Sequence, residues 1–431
     1  MDTLSHLRAG KLAGARRLDL SCDLEEVPPE VFDLADTLEV LNLTGNRLRY
    51  LPDEFARLQK LRILFCSENR FTHLPEVIGA CPQLSMIGFK SNAIETVADK
   101  AFPAALRWLI LTDNQIQDLP SSLARCTRLQ KLMLSGNRLR TLPDSMAQCE
   151  NLEMVRLAAN DFDALPSWLL ALPRLAWLAL AGNPCAPAPT LDSFPSPIEW
   201  SDLHLIDLLG EGASGFIHRA KWSGASEEVA VKIFKGAMTS DGLPSCEVAA
   251  SLTAGAHANL IGIQGHITGH PSGAPGLVMQ LIPPDFTSLA GPPSLESCTR
   301  DVYVPKQRFT PEVTLRIARG LASAGEHLHR NGITHGDFYA HNVLMNAAGD
   351  CLLGDFGAAS FYPPNLARVM QQIEVRAFGI LLEEMTSRTT WSATNDGQRN
   401  RLSDLQSRCL APDLSTRPLF DQLCDELNAI T

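Results

Sequence analysis

Two aspartates eighteen positions apart, Asp337 and Asp355, carry the most legible chemistry in this 431-residue chain. The first lies in HGDFYAHNVL (335–344), the second in CLLGDFG (351–357). A carboxylate, an asparagine five residues on (Asn342) and a second carboxylate after a short apolar run are what metal-assisted phosphoryl transfer requires. Asp337 would orient an attacking hydroxyl, while Asn342 and Asp355 would hold the magnesium ions that bridge the phosphates.

Such groups need elements to hold them and a place for the phosphates. SDLHLIDLLGEGASGFIHRAKW (201–222) reads as strand, glycine turn, strand, with Gly210, Gly212 and Gly215 in a GxGxxG pattern. Alone that pattern is weak. It is neither a Walker loop nor a dinucleotide fingerprint, which would lead into a helix. EEVAVKIF (227–234) strengthens it: a β-rich run reaches Lys232, at an offset suited to pairing with phosphate oxygens. An acid on a following helix must hold that lysine, and Glu247 is the best placed, since Glu227 and Glu228 lie too close in sequence. GLVMQLI (276–282) is an apolar strand running into a connector whose backbone from Gln280 to Ile282 could bond an adenine edge, with Met279 at the rear.

In this order and spacing, residues 200–425 resemble a eukaryotic-type protein kinase domain. EVRAFGILLEEM (374–385) is similar to that family's DVWSFG helix, and DLSTRP (413–418) to its late arginine-bearing segment. The resemblance implies an α+β bilobal fold using ATP and Mg2+. It makes Asp337 the catalytic base, Asn342 and Asp355 the magnesium ligands, and Lys232 with Glu247 the phosphate-positioning pair. Gly210, Gly212 and Gly215 would cover the phosphates, while Ile217, Ala230 and Leu344 would sandwich the adenine.

The departures are informative. Gly336 stands where the family usually has an arginine that pairs with a phosphorylated activation loop. That loop is nearly absent: Glu374 follows Asp355 by only 19 positions, and no APE motif occurs. The two losses fit each other, and activation by loop phosphorylation at Ser360 or Tyr362 is not expected. Arg417 also lacks its usual glutamate partner, with Glu374 or another acid as the substitute. Tyr339 replaces the lysine common two residues after the base in Ser/Thr kinases, and His341 the arginine that tyrosine kinases often carry before the asparagine. Without that lysine, γ-phosphate stabilisation would lean on Lys232, the metals and His341, although Tyr339 and His341 read equally as packing.

The first half is a repeat array. Leu18, Leu41, Leu64, Ile87, Leu109, Leu132, Val155 and Leu178 recur every 22 or 23 residues, with asparagines from Asn46 to Asn183 in the same register. Short strands adding edge-on, leucines buried between coils and a ladder of asparagines bonding turn backbone make a solenoid. The pattern resembles the leucine-rich repeat family, so the expected fold is an α/β leucine-rich repeat solenoid followed by the bilobal domain. The expected division is 1–185 for the repeats, with a helical cap over residues 4–12, then a Pro-rich linker (186–199), then 200–431 with its shortened activation segment. Side chains alternating with the buried leucines include Ile63, Phe65, Trp108, Ile110, Met133 and Trp177, an apolar set suited to a protein substrate or regulator, or to the chain's own second domain.

Composition bounds the rest. Hydrophobic content of 45% and charge of 20% describe a globular protein. A net charge of −11 argues against nucleic acid as a partner, and no run is long and apolar enough for membrane insertion. The opening Met1-Asp2-Thr3 has no basic-then-apolar pattern, and eleven scattered cysteines without metal-ligand pairs suggest a reduced, cytoplasmic setting, prokaryotic or not. The expected function is an ATP- and Mg-dependent protein serine/threonine kinase, with the repeats for docking or regulation. The alternatives are a small-molecule phosphotransferase of the aminoglycoside or choline kinase type, suggested by HGDxxxxN, and a nucleotide-binding pseudokinase scaffold.

Overall fold

The computed structural model describes residues 3–191, 194, 197–212 and 214–430. It divides into two compact units, Met1–Leu172 and Pro173–Thr431.

In the first unit, seven three-residue strands from Arg17–Asp19 to Met154–Arg156 pair in parallel. The register aligns Leu18, Leu41, Leu64, Ile87, Leu109, Leu132 and Val155 in one column, each at most 2% exposed. The asparagine ladder forms as the spacing requires. Asn137 Nδ2 donates to Leu111 O at 2.9 Å and Leu134 O at 2.8 Å, while its Oδ1 accepts from Ile116 N at 3.0 Å. The residue before each of these asparagines is left-handed: Gly45, Glu68, Ser91, Asp113, Gly136 and Ala159 all have positive φ. The cap helix is Thr3–Arg8, shorter than expected because Gly10 turns the chain at φ +69°.

Part of the apolar strand face is used within the unit. Trp108 Nε1 contacts Met133 Sδ at 3.4 Å, and the Lys131 ammonium sits 4.3 Å above the Trp108 ring. Phe65 packs on Gly88, where an added Cβ would lie 2.6 Å from its ring. Ile63, Phe65, Trp108, Ile110 and Met133 remain half-buried.

The second unit opens with the last copy of the repeat, whose strand Trp177–Ala179 is buried throughout. The compact units thus part at Leu172–Pro173, because this coil packs with the chain that follows it. Of the expected Pro-rich linker, residues 192, 193, 195 and 196 lie outside the description, but Pro197–Glu199 (β1) joins a sheet. With β2 (Leu203–Glu211), β3 (Gly215–Trp222), β4 (Val229–Phe234), β5 (Ile263–Thr268) and β6 (Gly276–Gln280), the sheet order is β1-β5-β6-β4-β3-β2. Alternating Ile198, Ala220, Val229, Val231, Ile267 and Val278 form its core on one face. Helix α1 (Pro244–Ala254) follows β4 in this lobe.

The second lobe is helical: α2 (Pro311–Arg330), α3 (Ala367–Thr386), α4 (Asp396–Cys409) and α5 (Phe420–Asn428). Phe338, Phe378 and Phe420 meet at its centre, with ring centroids 5.5–6.2 Å apart. All eleven cysteines are free, and no described helix is long and apolar enough to cross a membrane.

Candidate active site

Lys232 stands on β4 because VAVKIF is a nearly unbroken apolar, β-rich run, as a strand buried on both faces requires. Its Nζ pairs with Glu247 Oε1 of α1, and both residues are buried. Burial pulls the Lys232 ammonium down, but Glu247, Asp355 and Asp241 outweigh it and its pKa ends raised. Burial also raises the Glu247 carboxyl, helped by Asp355 and Asp241 and opposed by Lys232. The glycine turn between β2 and β3 closes through Gly212 N donating to Gly215 O at 2.9 Å. Gly215 is required by packing, since a Cβ there would meet Ile233 O at 2.4 Å. Gly210 and Gly212 face open space, so their lack of a side chain serves room rather than packing.

The catalytic-loop candidates are held from several sides. His335 Nε2 donates to Gly354 O at 2.9 Å, and its Nδ1 accepts from Asp337 N at 3.3 Å. Asn342 Nδ2 donates to Asp337 Oδ2 at 2.8 Å and to Asp337 O at 2.9 Å. The hairpin of 343–345 with 351–353 then brings Asp355 to Asn342, with Gly354 N donating to Asn342 O at 3.0 Å. Asp355 is left-handed at φ +61°, and its Oδ1 accepts from Gly357 N at 3.2 Å.

A cavity of about 330 Å3 between the lobes is lined by Gly212, Gly215, Ile217, Lys232, Glu247, Met279, His341, Asn342, Leu344 and Asp355. Thus β3, β4, α1, the catalytic loop and the second aspartate converge on one space. Five expected residues stand off its wall. Gly210 lies at the end of β2, and Ala230 is buried in β4 opposite Met279. Gln280 N is committed to Gly262 O at 2.8 Å, which leaves a ligand only its carbonyl, and Ile282 follows in the connector. Asp337 also stands off the wall, joined to it through Asn342.

The donor chemistry suits a hard cation. Asn342 spends its amide nitrogen on Asp337 and, among the described residues, its side-chain oxygen meets no protein donor, while Asp355 adds a carboxylate. Carboxylate and carboxamide oxygens with room for water are the ligands magnesium takes.

Several readings need correction. Glu374 does not serve Arg417. Its Oε1 accepts from Gly336 N at 2.7 Å and its Oε2 pairs with His329 Nε2 at 2.8 Å, so it anchors the catalytic loop. Burial alone would raise this carboxyl, but His329, His335 and the Gly336 amide bring it below the ordinary range. Arg417 makes no ion pair among the described residues. Its guanidinium donates to three carbonyls, Ala411 at 2.8 Å, Gln372 at 3.1 Å and Pro173 at 2.7 Å. Burial and the nearby Arg376 lower its pKa to about 10. Trp177 is not available to a partner, being 0% exposed and stacked on Tyr339. Tyr339 is therefore packing, whereas His341 faces the cavity.

His341 is held by a residue that sequence reasoning missed. Asp301 Oδ1 lies 2.7 Å from His341 Nδ1, and its Oδ2 accepts from His341 N at 3.0 Å. Burial opposes the charge on His341, yet the Asp301 bond and the charges of Asp337 and Asp355 leave its pKa raised. No spacing rule marks Asp301. Glu374 did carry a signal, because it opens EVRAFG at the position of the family's aspartate.

Comparison with known proteins agrees with this architecture. The family model for protein tyrosine and serine/threonine kinases matches residues 203–376. Leucine rich repeat models match residues 37–58 and, in overlapping copies, 82–184. Cyclin-dependent kinase 11.2 of Caenorhabditis elegans is 27% identical over 165 residues, 38% of this chain and 23% of that protein. The serine/threonine-protein kinase PITSLRE of Drosophila melanogaster is 29% identical over 163 residues, 37% and 16% of the two chains. The serine/threonine-protein kinase mos of Xenopus laevis is 28% identical over 168 residues, 38% and 43%. The alignments thus span less than half the length of each of these relatives. The chain is a leucine-rich repeat protein that carries a protein kinase domain.

Proposed function

We propose that this chain is an ATP- and magnesium-dependent protein serine/threonine kinase, with the repeats docking its protein substrate or regulator, and that it works in the cytoplasm. The observation that carries the reading is the convergence of Asn342 and Asp355 with the Lys232–Glu247 pair on one cleft, with Asp337 bonded to Asn342 just behind its wall. Magnesium, when bound, would neutralise the charge that develops during phosphoryl transfer. Asn342 and Asp355 would hold it. Lys232, kept cationic and fixed by Glu247, orients the phosphates. Asp337 is restrained by Asn342 so that one carboxylate oxygen meets the incoming hydroxyl and receives its proton. The turn at 210–217 covers the phosphates, and Ile217 and Leu344 close on the adenine from opposite lobes. Half-buried Ile63, Phe65, Trp108, Ile110 and Met133 form the docking face.

Full-length protein incubated with labelled ATP and magnesium, beside Asp337→Asn, tests the reading. Label transferred to serine or threonine of the protein itself or of a protein mixture, and lost in the variant, supports it. Label confined to small molecules, or absent above the variant, overturns it.

A further inference from the structure

We infer that the last leucine-rich coil, Pro173–Leu180, takes over the structural duty of the missing activation segment, and that Trp177 is the residue through which it positions Asp337. The inference rests on the kinase reading for its activity arm only.

Between Asp355 and the start of α3 at Ala367 the chain makes one short strand, Ser360–Phe361, and one turn of 3-10 helix. The strand pairs with Ile333–Thr334 ahead of the catalytic loop, and the chain then enters α3 directly. Little of this stretch is left to brace the outer side of the loop. The last repeat coil fills that place. The Trp177 indole lies 4.1 Å from the Tyr339 ring at an interplanar angle of 5°, and its Nε1 donates to Phe338 O at 3.3 Å. One side chain thus fixes the two residues that directly follow Asp337.

Further contacts run along the same coil. Leu180 N donates to Ser360 Oγ at 2.7 Å. Leu178 O lies 3.0 Å from where a Gly336 Cβ would be. Arg376 Nε donates to Arg174 O at 3.2 Å, and Arg417 Nη2 to Pro173 O at 2.7 Å. The coil therefore touches the residue before Asp337, the two after it, the short strand, α3 and the late arginine.

The nature of these contacts matters. They are aromatic stacking, backbone hydrogen bonds and arginine-to-carbonyl bonds, with no site for a phosphate. Ser360 is fully buried, with its hydroxyl engaged by Leu180 N and Ala358 O. An activation segment ordered by phosphorylation has a released state; a brace built into the preceding repeat has none. Trp177 does not reach the cleft, so its role is positioning, exercised through Phe338 and Tyr339.

The test uses full-length protein with Trp177→Ala, Trp177→Phe and Tyr339→Leu, the last removing the stack without touching the repeat. Hydrogen exchange of residues 335–342 is followed together with magnesium-ATP turnover on a general protein substrate. Trp177→Ala and Tyr339→Leu are expected to speed exchange of 335–342 roughly tenfold or more over wild type. They should lower kcat roughly tenfold while KM for ATP stays within about twofold, because the Lys232–Glu247 pair is untouched. Trp177→Phe, which keeps a ring on Tyr339, should recover most of both. Wild-type exchange and kcat in Trp177→Ala would overturn the inference. So would a Phe variant as impaired as the Ala variant, or a KM for ATP that rises as kcat falls, since both describe general loss of packing. If Trp177→Ala does not fold, Tyr339→Leu and Trp177→Phe decide by the same criteria. If the wild type turns over no ATP, the kinase reading fails, and exchange alone decides the positioning role.

Discussion

Restoring the arginine that kinases usually carry before the catalytic aspartate should damage this protein, and Gly336 shows why. Its φ is +71°, and an added Cβ would lie 2.3 Å from Ala358 O and 3.0 Å from both Ala358 C and Leu178 O. A side chain in this left-handed conformation costs about 1–2 kcal/mol by itself. Overlap with backbone that cannot swing aside adds about 1–3 kcal/mol. Any shift also strains the Gly336 N–Glu374 bond, a charge-assisted contact worth about 1.5–3 kcal/mol. Gly336→Ala should therefore lose about 4 kcal/mol, and Gly336→Arg at least as much. For a unit of this size that corresponds to a melting transition lower by roughly ten degrees. Gly332→Ala is the control, because Gly332 has φ +72° with nothing within 4 Å of its virtual Cβ. It should lose only about 1–2 kcal/mol. Calorimetry of the full chain separates the two, and magnesium-ATP turnover should fall far more in Gly336→Ala. Equal melting temperatures for the two alanine variants would refute the steric argument.

Three further outcomes are expected. Glu247 has a pKa raised to about 7, so it contributes stability at low pH that is lost as pH rises through about 7. The ion pair with Lys232 needs the ionised form, so turnover should rise over that same window. Glu247→Gln should abolish the limb and lower the rate at about pH 8 roughly a hundredfold; an unchanged pH profile would count against it. Arg417→Met should cost about 2–4 kcal/mol by calorimetry, because it strands the carbonyls of Ala411, Gln372 and Pro173. A more stable Met variant would mean that burying the charge outweighs its bonds. Ser360→Ala should cost about 1–2 kcal/mol, leaving Leu180 N unbonded, yet keep turnover near wild type. Mass mapping of active protein should find Ser360 unmodified, and stoichiometric phosphate there would refute the fixed-brace reading.

What could be read in advance divides along physical lines. The solenoid was legible because each coil bonds mainly its neighbour, so Leu18, Leu41 and Leu64 repeat whatever lies elsewhere. Asp337 and Asn342 were legible for the same local reason, being five residues apart and bonded to each other. Lys232 and Glu247 came from spacing across one strand and one helix. The failures are contacts without local signature. Nothing in WLA at 177–179 announces that its indole serves Tyr339, nor in Pro173 that its carbonyl meets Arg417. Asp301 lies forty residues from His341 in a stretch with no period. The expectation of a substitute acid for Arg417 failed because three carbonyls satisfy its donors and leave its charge to be borne by the buried guanidinium, whose pKa falls accordingly.

The contact between Trp177 and Phe338 spans 161 residues of chain, and translation gives that distance a direction. At ordinary elongation rates the terminal coil leaves the ribosome on the order of ten seconds or more before the loop it braces. The coil is made first, with its neighbouring repeats already behind it, and the catalytic loop arrives later. Arg417 reaches Pro173 later still. That tie can close only after the loop has been made, and a chain truncated before Arg417 would leave its earlier-made brace without it.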